Sequence, residues 1–370
     1  PATAPLVIKG NYAAAIGALL AGCRHVYGYP ITPSTEGAEF MAKYLPQLDG
    51  VFLQAVSEVA TVNIMYGCGG AGLPCLTFTS SPGFSLMLEG ISYMIGSEVP
   101  GVFLDIMRGG PGLGNIAPEQ SDIKLACRGL GHGNTHAIVL APSTPQEMLD
   151  LTMLAFQLTF KYRNPVVILG DGYLGQMTGR VTLPNKMIRP GLPDWAVWGD
   201  AGHRRNLICS IYLSEPELEE HNKRLIAKYA AMTASEQRAD LFHCADADTL
   251  IVACTTPAQM AKGAVQQLRQ KGVKVGLFRP VTLWPFPIQH LLPLPFLLPL
   301  PSWMLHLFHY LSSQHDVTFS KINSMSIYRI SCHDDQDVFE RTGNEQQRHH
   351  SSTAPLSFSP SELRTYHFFT

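Results

Sequence analysis

Short apolar segments alternate with helical segments along residues 1–185. Segments 51–56, 74–80 and 101–107 are apolar and rich in β-branched residues, which predicts buried strands. Ser81-Pro82-Gly83 follows the second of them and has the composition of a turn. Helical segments such as 145–162 lie between the strands, and this order indicates βαβ units. The alternation therefore predicts an α/β fold with a mainly parallel sheet and helices on both faces.

Composition excludes several classes of protein. Hydrophobic residues make up 46% of the 370 residues and charged residues 15%, which suits a large core and not a disordered chain. The formal net charge of −2 argues against binding nucleic acid through bulk charge. The eight cysteines form no CxxC pair, so we expect neither a metal site nor an iron–sulfur cluster held by this chain alone. No basic n-region precedes the apolar stretch Ala2 to Ile8, and we expect a cytoplasmic protein.

The chain divides into segments of different pattern. Residues 1–185 form the first α/β unit, and residues 186–245 are irregular and then helical, which is typical of a linker with a helix. Ser214 and Glu217 have the spacing of a capping box at the start of that helix. A strand–helix–strand pattern over residues 246–287 indicates the start of a second α/β domain.

The composition changes sharply after residue 287. Only one of the 32 glycines, Gly343, lies beyond residue 276, whereas eight of the 14 histidines lie at residue 290 or later. Prolines interrupt the uncharged run 281–315, so we do not predict a membrane-spanning helix there. We interpret residues 288–370 as an anomalous Pro/His-rich tail, such as a frameshift or a mis-joined gene would produce, that truncates the second domain.

Two glycine-rich motifs suggest cofactor sites that their context does not support. Gly67-Cys68-Gly69-Gly70-Ala71-Gly72 matches the dinucleotide fingerprint, but a helix precedes it and a strand follows it, which is the reverse of the required order. Gly170-Asp171-Gly172 could open a magnesium–diphosphate motif, but that motif needs a downstream asparagine at a fixed spacing. Asn185 is too close and Asn206 too far. We therefore predict a helix exit and a strand-end turn.

Three polar residues stand where open α/β sheets bind ligands, after strands or in the loops beside them. Glu58 follows segment 51–56 in apolar surroundings, and it either interacts with the helix dipole or shares a proton with a bound heterocycle. Arg108 opens a glycine-rich loop, either as a surface arginine or as a bidentate ligand of a carboxylate. Thr32 is either a turn residue or a hydroxyl held on a proline-stiffened loop. The residues alone leave these alternatives open.

Longer motifs extend the pattern around these three residues. They are Gly28-Tyr29-Pro30-Ile31-Thr32-Pro33-Ser34-Thr35, Ser57-Glu58, Met107-Arg108-Gly109-Gly110-Pro111-Gly112-Leu113-Gly114, Glu119-Gln120-Ser121-Asp122 and Leu277-Phe278-Arg279-Pro280-Val281-Thr282-Leu283-Trp284-Pro285-Phe286-Pro287. Together they resemble the α subunit of 2-oxoacid:ferredoxin oxidoreductases over residues 8–287. The resemblance implies a pyrimidine-type domain of thiamine-diphosphate enzymes, followed by a transketolase C-terminal-like α/β domain.

The resemblance also implies one subunit of a heteromeric oxidoreductase. Such an enzyme decarboxylates a 2-oxoacid on thiamine diphosphate, transfers the acyl group to coenzyme A and reduces ferredoxin. The implied substrate is the branched-chain 3-methyl-2-oxobutanoate (2-ketoisovalerate). The alternatives are a 2-oxoglutarate enzyme or a non-catalytic assembly subunit of the same fold.

The same resemblance implies the partners and the site residues. Thiamine diphosphate would be shared with a β subunit that holds Mg²⁺ and the diphosphate, and iron–sulfur clusters would lie on partner subunits, which include γ and ferredoxin-like δ subunits. Neither a nucleic-acid nor a membrane partner is expected. Glu58 would be catalytic by hydrogen-bonding the aminopyrimidine ring, and the segment Tyr29-Pro30-Ile31 would also contact the cofactor. Thr32 and Arg108 would bind the substrate, and no metal ligand is expected.

Overall fold

The computed structural model describes residues 4–185 and 187–294, together with three short strands near the C-terminus. The strands are β1 Leu6–Lys9, β2 His25–Gly28, β3 Val51–Gln54, β4 Cys75–Thr79, β5 Val102–Met107, β6 Ile138–Leu140, β7 Val166–Asp171, β8 Thr178–Val181, β9 Ala239–Phe242, β10 Thr249–Val252, β11 Val275–Pro280, β12 Thr282–Trp284, β13 Ser320–Ile322, β14 Met325–Ile330 and β15 Tyr366–Phe369. The helices are α1 Gly10–Leu20, α2 Thr35–Tyr44, α3 Glu58–Gly70, α4 Ser81–Gly96, α5 Ile123–Arg128, α6 Pro145–Tyr162, α7 Gly172–Gln176, α8 Glu215–Ser235, α9 Thr255–Gln270 and α10 Ile288–Leu291, and a 3₁₀ turn spans Leu45–Leu48.

The first sheet contains seven strands in the order β12-β6-β7-β5-β4-β2-β3 within the described part of the chain. All of its neighbouring strands are parallel except β12, which pairs antiparallel with β6. Strands β4, β5, β6 and β7 are buried along their whole length, as expected for a parallel sheet with helices on both faces. The predicted α/β fold is confirmed.

Neighbouring residues of a strand point to opposite faces of the sheet, and both sets are buried in the central strands. Helices therefore cover both faces. On one face the ring of Phe78 lies directly over Gly37 of α2, where a Cβ would come within 2.3 Å of the ring. On the other face the next residue, Thr79, meets Gly83 of α4. The carboxyl ends of β4 and β5 therefore lie beside the first turn of α4.

The second sheet has the order β13-β14-β15-β10-β11-β9 among the described residues. Leu250, Val252 and Phe278 pack together on one face of this sheet. Val265 of α9 packs in a separate cluster on the other face. Strand β9 falls within the segment interpreted as a linker, and β15 within the predicted tail. The predicted tail also contains α10, β13 and β14, and its remaining residues beyond 294, with most of the proline-rich run, lie outside the described residues.

Two local predictions were wrong. Ser81-Pro82-Gly83 is the start of α4 and not a turn, because proline is well tolerated in the first turn of a helix. Ser214 does precede α8, but its side chain caps no backbone N–H, so the predicted capping box does not form. The glycine-rich motif at residues 67–72 ends α3 and leads into β4, as predicted.

No helix among the described residues is long and apolar enough to cross a membrane.

Candidate active site

Glu58 is the first residue of α3 and is only 6% exposed. The preceding Ser57 has extended backbone geometry, and its hydroxyl accepts a hydrogen bond from Ala60 N at 3.2 Å. This cap fixes where the helix starts, as Ser at that position does in many helices. The cap therefore directs the Glu58 carboxylate away from solvent and toward α4.

The carboxylate of Glu58 lies against the first turn of α4. Glu58 Oε1 is 2.7 Å from the point where a Cβ on Gly83 would lie, and Thr79 Oγ1 is 2.5 Å from the same point. Any side chain at residue 83 would therefore collide with both oxygens. The Thr79 hydroxyl is fully buried and has no hydrogen-bond partner within the described structure. Glycine thus leaves room for a carboxylate and a hydroxyl to lie side by side.

Arg108 joins the two loops that border the site. Its Nη1 donates to Thr32 O at 2.9 Å, and its Nη2 donates to Leu113 O at 3.1 Å. Its backbone N–H donates to Ser81 Oγ at 3.0 Å. Because a guanidinium has five N–H donors, one on each Nη remains for a carboxylate. The structure therefore brings Arg108 and Thr32 together, and the first turn of α4 contacts both Arg108 and Glu58.

Hydrogen bonds from two side chains hold the loop that carries Tyr29 and Thr32. Pro33 O accepts hydrogen bonds from Asn11 Nδ2 at 2.8 Å and from Gln176 Nε2 at 3.2 Å. Tyr29 is 42% exposed, and Pro30 and Thr32 are also exposed. The loop consequently presents these side chains to the surface above a rigid base, and Ile31 is half-buried in it.

A polar cluster around Glu36 stabilises the same loop. Gln176 Nε2 donates to Glu36 Oε2 at 2.8 Å, and Lys9 Nζ lies 3.2 Å from Glu36 Oε1. Burial alone would raise the pKa of Glu36, but these hydrogen bonds and the Lys9 charge outweigh it and hold the pKa below its usual value. Glu36 is therefore a charged anchor at neutral pH.

The second α/β unit contacts the first at this edge of the sheet. Thr256 of α9 donates its backbone N–H and its hydroxyl to Asp171 at 3.0 and 2.7 Å. Asp171 also caps α7 by accepting from Leu174 N at 2.8 Å, so its oxygens serve the strand-end turn predicted for Gly170-Asp171-Gly172. Gln120 Nε2 donates to Thr255 Oγ1 at 2.6 Å. Two loops of the first unit therefore hold the start of α9 in place.

No group of three or more potential metal ligands occurs among the residues that the structure describes. The site residues themselves fit an uncharged heterocycle better than an ion. Glu58 offers one carboxylate in an apolar setting, and the neighbouring Thr79 hydroxyl has no partner. A ring that both donates and accepts hydrogen bonds would match this pair.

The sequence did not indicate every polar residue in this region. Gly83 was read as part of a turn, and Thr79 and Ser81 were not singled out. Asp105 lies in the middle of β5 and is fully buried. Its sequence context could have indicated Asp105, because a carboxylate inside an otherwise apolar strand is rarely buried unless it has a partner.

Comparison with known proteins defines the class. Residues 16–197 match the family described as pyruvate flavodoxin/ferredoxin oxidoreductase, thiamine diphosphate-binding. Residues 247–295 match pyruvate:ferredoxin oxidoreductase core domain II. The first unit is thus a thiamine-diphosphate-binding α/β domain.

Relatives extend over most of the chain. It is 47% identical to the ketoisovalerate oxidoreductase subunit VorB of Methanothermobacter marburgensis, over 77% of this chain and 81% of that subunit. It is 36% identical to the 2-oxoglutarate synthase subunit KorA of Methanocaldococcus jannaschii, over 76% of this chain and 83% of that subunit. The chain therefore belongs to the 2-oxoacid:ferredoxin oxidoreductase family, and the predicted membership is confirmed.

A solved structure gives the same result. The 2-oxoglutarate:ferredoxin oxidoreductase from Magnetococcus marinus, with 2-oxoglutarate, coenzyme A and succinyl-CoA bound, superposes with a TM-score of 0.70 at 28% identity. The match covers 79% of this chain and 56% of that chain.

Proposed function

We propose that this chain is the α subunit of a 2-oxoacid:ferredoxin oxidoreductase. It would act in the oxidative decarboxylation of a 2-oxoacid to an acyl-CoA and CO₂, with reduction of ferredoxin. The observation that carries the proposal is the buried Glu58 carboxylate beside the unpartnered Thr79 hydroxyl, at the carboxyl ends of parallel strands. Ligands of open α/β sheets bind at that edge.

The proposed substrate is 3-methyl-2-oxobutanoate. Identity to the ketoisovalerate oxidoreductase subunit is 47%, against 36% for the 2-oxoglutarate synthase subunit. The second candidate is 2-oxoglutarate, which is bound in the Magnetococcus enzyme. A longer dicarboxylate needs a further cation in its pocket, which makes the two substrates distinguishable by assay.

Glu58, Arg108 and Thr32 have separate roles in this proposal. Thiamine diphosphate, when bound, supplies the electron sink for decarboxylation. Glu58 would hydrogen-bond the aminopyrimidine ring of the cofactor, from a position that Gly83 keeps free. Arg108 binds the substrate carboxylate through its two remaining Nη donors, and Thr32 contacts the carboxylate or the keto oxygen. The hydrogen bond from Arg108 to Thr32 O keeps the two substrate-binding groups in one orientation.

The remaining components are assigned to partner subunits. The named relatives are subunits, which supports assembly with other chains. We propose a β subunit that shares thiamine diphosphate and holds Mg²⁺ and the diphosphate, with γ and ferredoxin-like δ subunits; the iron–sulfur clusters would lie on such partners. We also propose a cytoplasmic location, supported by the seven free cysteines among the described residues.

The test is viologen reduction by the full-length chain, co-expressed anaerobically with its partner subunits. The assay contains thiamine diphosphate, Mg²⁺, coenzyme A and one of several 2-oxoacids. Faster reduction with 3-methyl-2-oxobutanoate than with 2-oxoglutarate or pyruvate supports both the reaction and the substrate. No reduction with any acid by an intact purified complex would refute the proposal and favour a non-catalytic assembly subunit.

The Glu58→Gln substitution tests the assignment of the carboxylate. We expect at least a ~100-fold loss of turnover with the complex still assembled, because proton transfer by a positioned group contributes about that much. Glu89→Gln is the matched control, since it removes an exposed carboxylate from α4. Near-normal turnover of Glu58→Gln would remove the role given to Glu58.

A further inference from the structure

A second buried carboxylate lies beneath the site. Asp105 is 0% exposed, and the parallel register places it opposite Thr79 in the neighbouring strand. Residues paired in this way have their side chains on the same face of the sheet. Asp105 therefore lies on the face that carries Thr79, Gly83 and Glu58.

Asp105 faces a second acid, Asp122, which is 6% exposed. If both groups were ionised, neither oxygen of Asp105 would have a hydrogen-bond donor within the described structure. Asp105 and Asp122 are within reach of each other, so a proton shared between them would give both groups a partner. An uncompensated buried charge is far more costly than a shared proton, so the pair holds one.

The proton belongs to Asp105. Burial, followed by the neighbouring Asp122 charge, raises the pKa of Asp105 well above its usual value. Asp122 also has a raised pKa, mainly through burial, but it accepts a hydrogen bond from Ser81 Oγ, and Ser121 Oγ lies 3.2 Å from the same carboxylate. The Ser81 donor favours the charged form of Asp122, and Asp105 has no comparable donor.

The two serines connect this acid pair to Arg108. Ser121 Oγ donates to Arg108 O at 2.8 Å, and Ser81 Oγ accepts from Arg108 N at 3.0 Å. Both backbone polar groups of Arg108 are therefore held by hydroxyls that contact Asp122. The orientation of Asp122 in turn depends on the proton that it shares with Asp105.

We infer that Asp105 is a positioning residue, which through Asp122, Ser81 and Ser121 fixes the backbone of Arg108. The inference rests on the proposed function because that proposal assigns Arg108 to the substrate. Ionisation of Asp105 would place two carboxylates side by side and release Arg108. The other charged group beside the pair is Glu119, whose charge acts on Asp122, and Glu58 lies beyond Thr79.

The first test compares variants of the assembled enzyme by KM for the 2-oxoacid across pH. In the wild type, KM should rise as increasing pH removes the proton from Asp105. Asp105→Asn supplies an N–H donor that does not titrate, so its KM should stay within about threefold of the wild type at neutral pH and lose that rise with pH. Asp105→Ala should raise KM tenfold or more, with kcat reduced by less than threefold. Ser81→Ala tests the same connection at a half-buried position if Asp105→Ala does not fold.

The second test does not depend on turnover. Amide hydrogen exchange of the peptide spanning residues 108–122 should accelerate at least tenfold in Asp105→Ala and remain near wild type in Asp105→Asn. Thr152→Val is the matched control, because it removes a fully buried hydroxyl that bonds to Met148 O on α6. That variant should leave both the exchange of residues 108–122 and KM unchanged.

The outcomes separate the two proposals. If none of the 2-oxoacids tested supports viologen reduction by the wild-type complex, the proposed function fails. The exchange data alone then decide the role of Asp105. If Asp105→Asn keeps the wild-type rise in KM with pH, or if Asp105→Ala exchanges like the wild type, the inference about Asp105 is overturned.

Discussion

Gly83→Ala tests the site geometry without removing a functional group. The new methyl would lie 2.5 Å from Thr79 Oγ1 and 2.7 Å from Glu58 Oε1. Ordinary contacts begin near 3.4 Å, so Thr79 Oγ1 and Glu58 Oε1 must both move away from the new methyl, and Glu58 Oε1 must move by about 0.7 Å. Thr79 can respond only by rotating its side chain, because its strand is buried on both faces, whereas the longer Glu58 side chain can move its carboxylate.

Two opposing effects act on the stability of this variant. Replacing glycine by alanine within a helix adds about 0.5–1 kcal/mol to the free energy of unfolding. Overpacking a buried site typically costs about 1–3 kcal/mol. The net loss is therefore about 0–2.5 kcal/mol, which corresponds to a decrease of a few degrees in Tm.

Activity should fall much further than stability. A misplacement near 1 Å of a reacting group can cost ~100-fold in rate. We therefore expect viologen reduction by the assembled Gly83→Ala enzyme to drop by about that factor, with only a small change in Tm. Gly67→Ala is the matched control, because a Cβ there meets nothing within 4 Å and the residue is exposed on α3.

One result would refute this reasoning. If Gly83→Ala folds and retains activity within threefold of Gly67→Ala, the position of the Glu58 carboxylate is not important to the reaction. A loss of assembly would instead show as a missing complex by size-exclusion chromatography, and the activity comparison is made only on intact complex.

Two further predictions concern ion pairs. Arg279 is nearly buried and binds Glu147 through both terminal nitrogens at 3.0 and 2.8 Å. Arg279→Met should therefore lower the free energy of unfolding by about 1.5–3 kcal/mol in chemical denaturation, whereas Lys223→Met, which removes an exposed ion pair, should lower it by less than about 1 kcal/mol. Equal losses in the two variants would contradict this prediction. Burial alone would raise the pKa of Glu236, but hydrogen bonds, first among them that from Lys161, outweigh it and lower the pKa. Glu236→Gln should therefore be less stable than the wild type above about pH 4.3, with a deficit that shrinks as the pH falls through the lowered pKa. Thermal unfolding at several pH values measures it, and a deficit constant with pH would count against the assignment.

The alternating pattern of segments was sufficient to predict the parallel sheet. Segment 145–162 is a helix over the whole predicted range, and α3, which Ser57 caps, begins at Glu58 directly after the predicted strand 51–56. Both features depend on local chemistry, namely a cap or a proline at the helix start. Strands β8 and β12 were not predicted, because short strands at sheet edges have little periodicity and depend on a distant partner.

The candidate site was only partly accessible from sequence. Glu58, Thr32 and Arg108 were singled out, and the structure places Arg108 against Thr32. Their roles remain predictions. Sequence reasoning could not find that Gly83 leaves space for the carboxylate, because that contact joins two helices and a strand that only the tertiary fold brings together.

Strand β12 has a consequence for how the protein can be divided. It follows β11 of the second unit, yet it pairs with β6 and forms the edge of the first sheet. Trp284 at its end stacks on His136 with ring centroids 4.7 Å apart. A fragment ending near residue 245 would keep the pairing of β6 with β7 but leave the outer edge of β6 without a partner, with three otherwise buried aliphatic residues beside it. An exposed apolar edge of that kind recruits other chains, so we expect expressed fragments of the first unit to need the chain through residue 284.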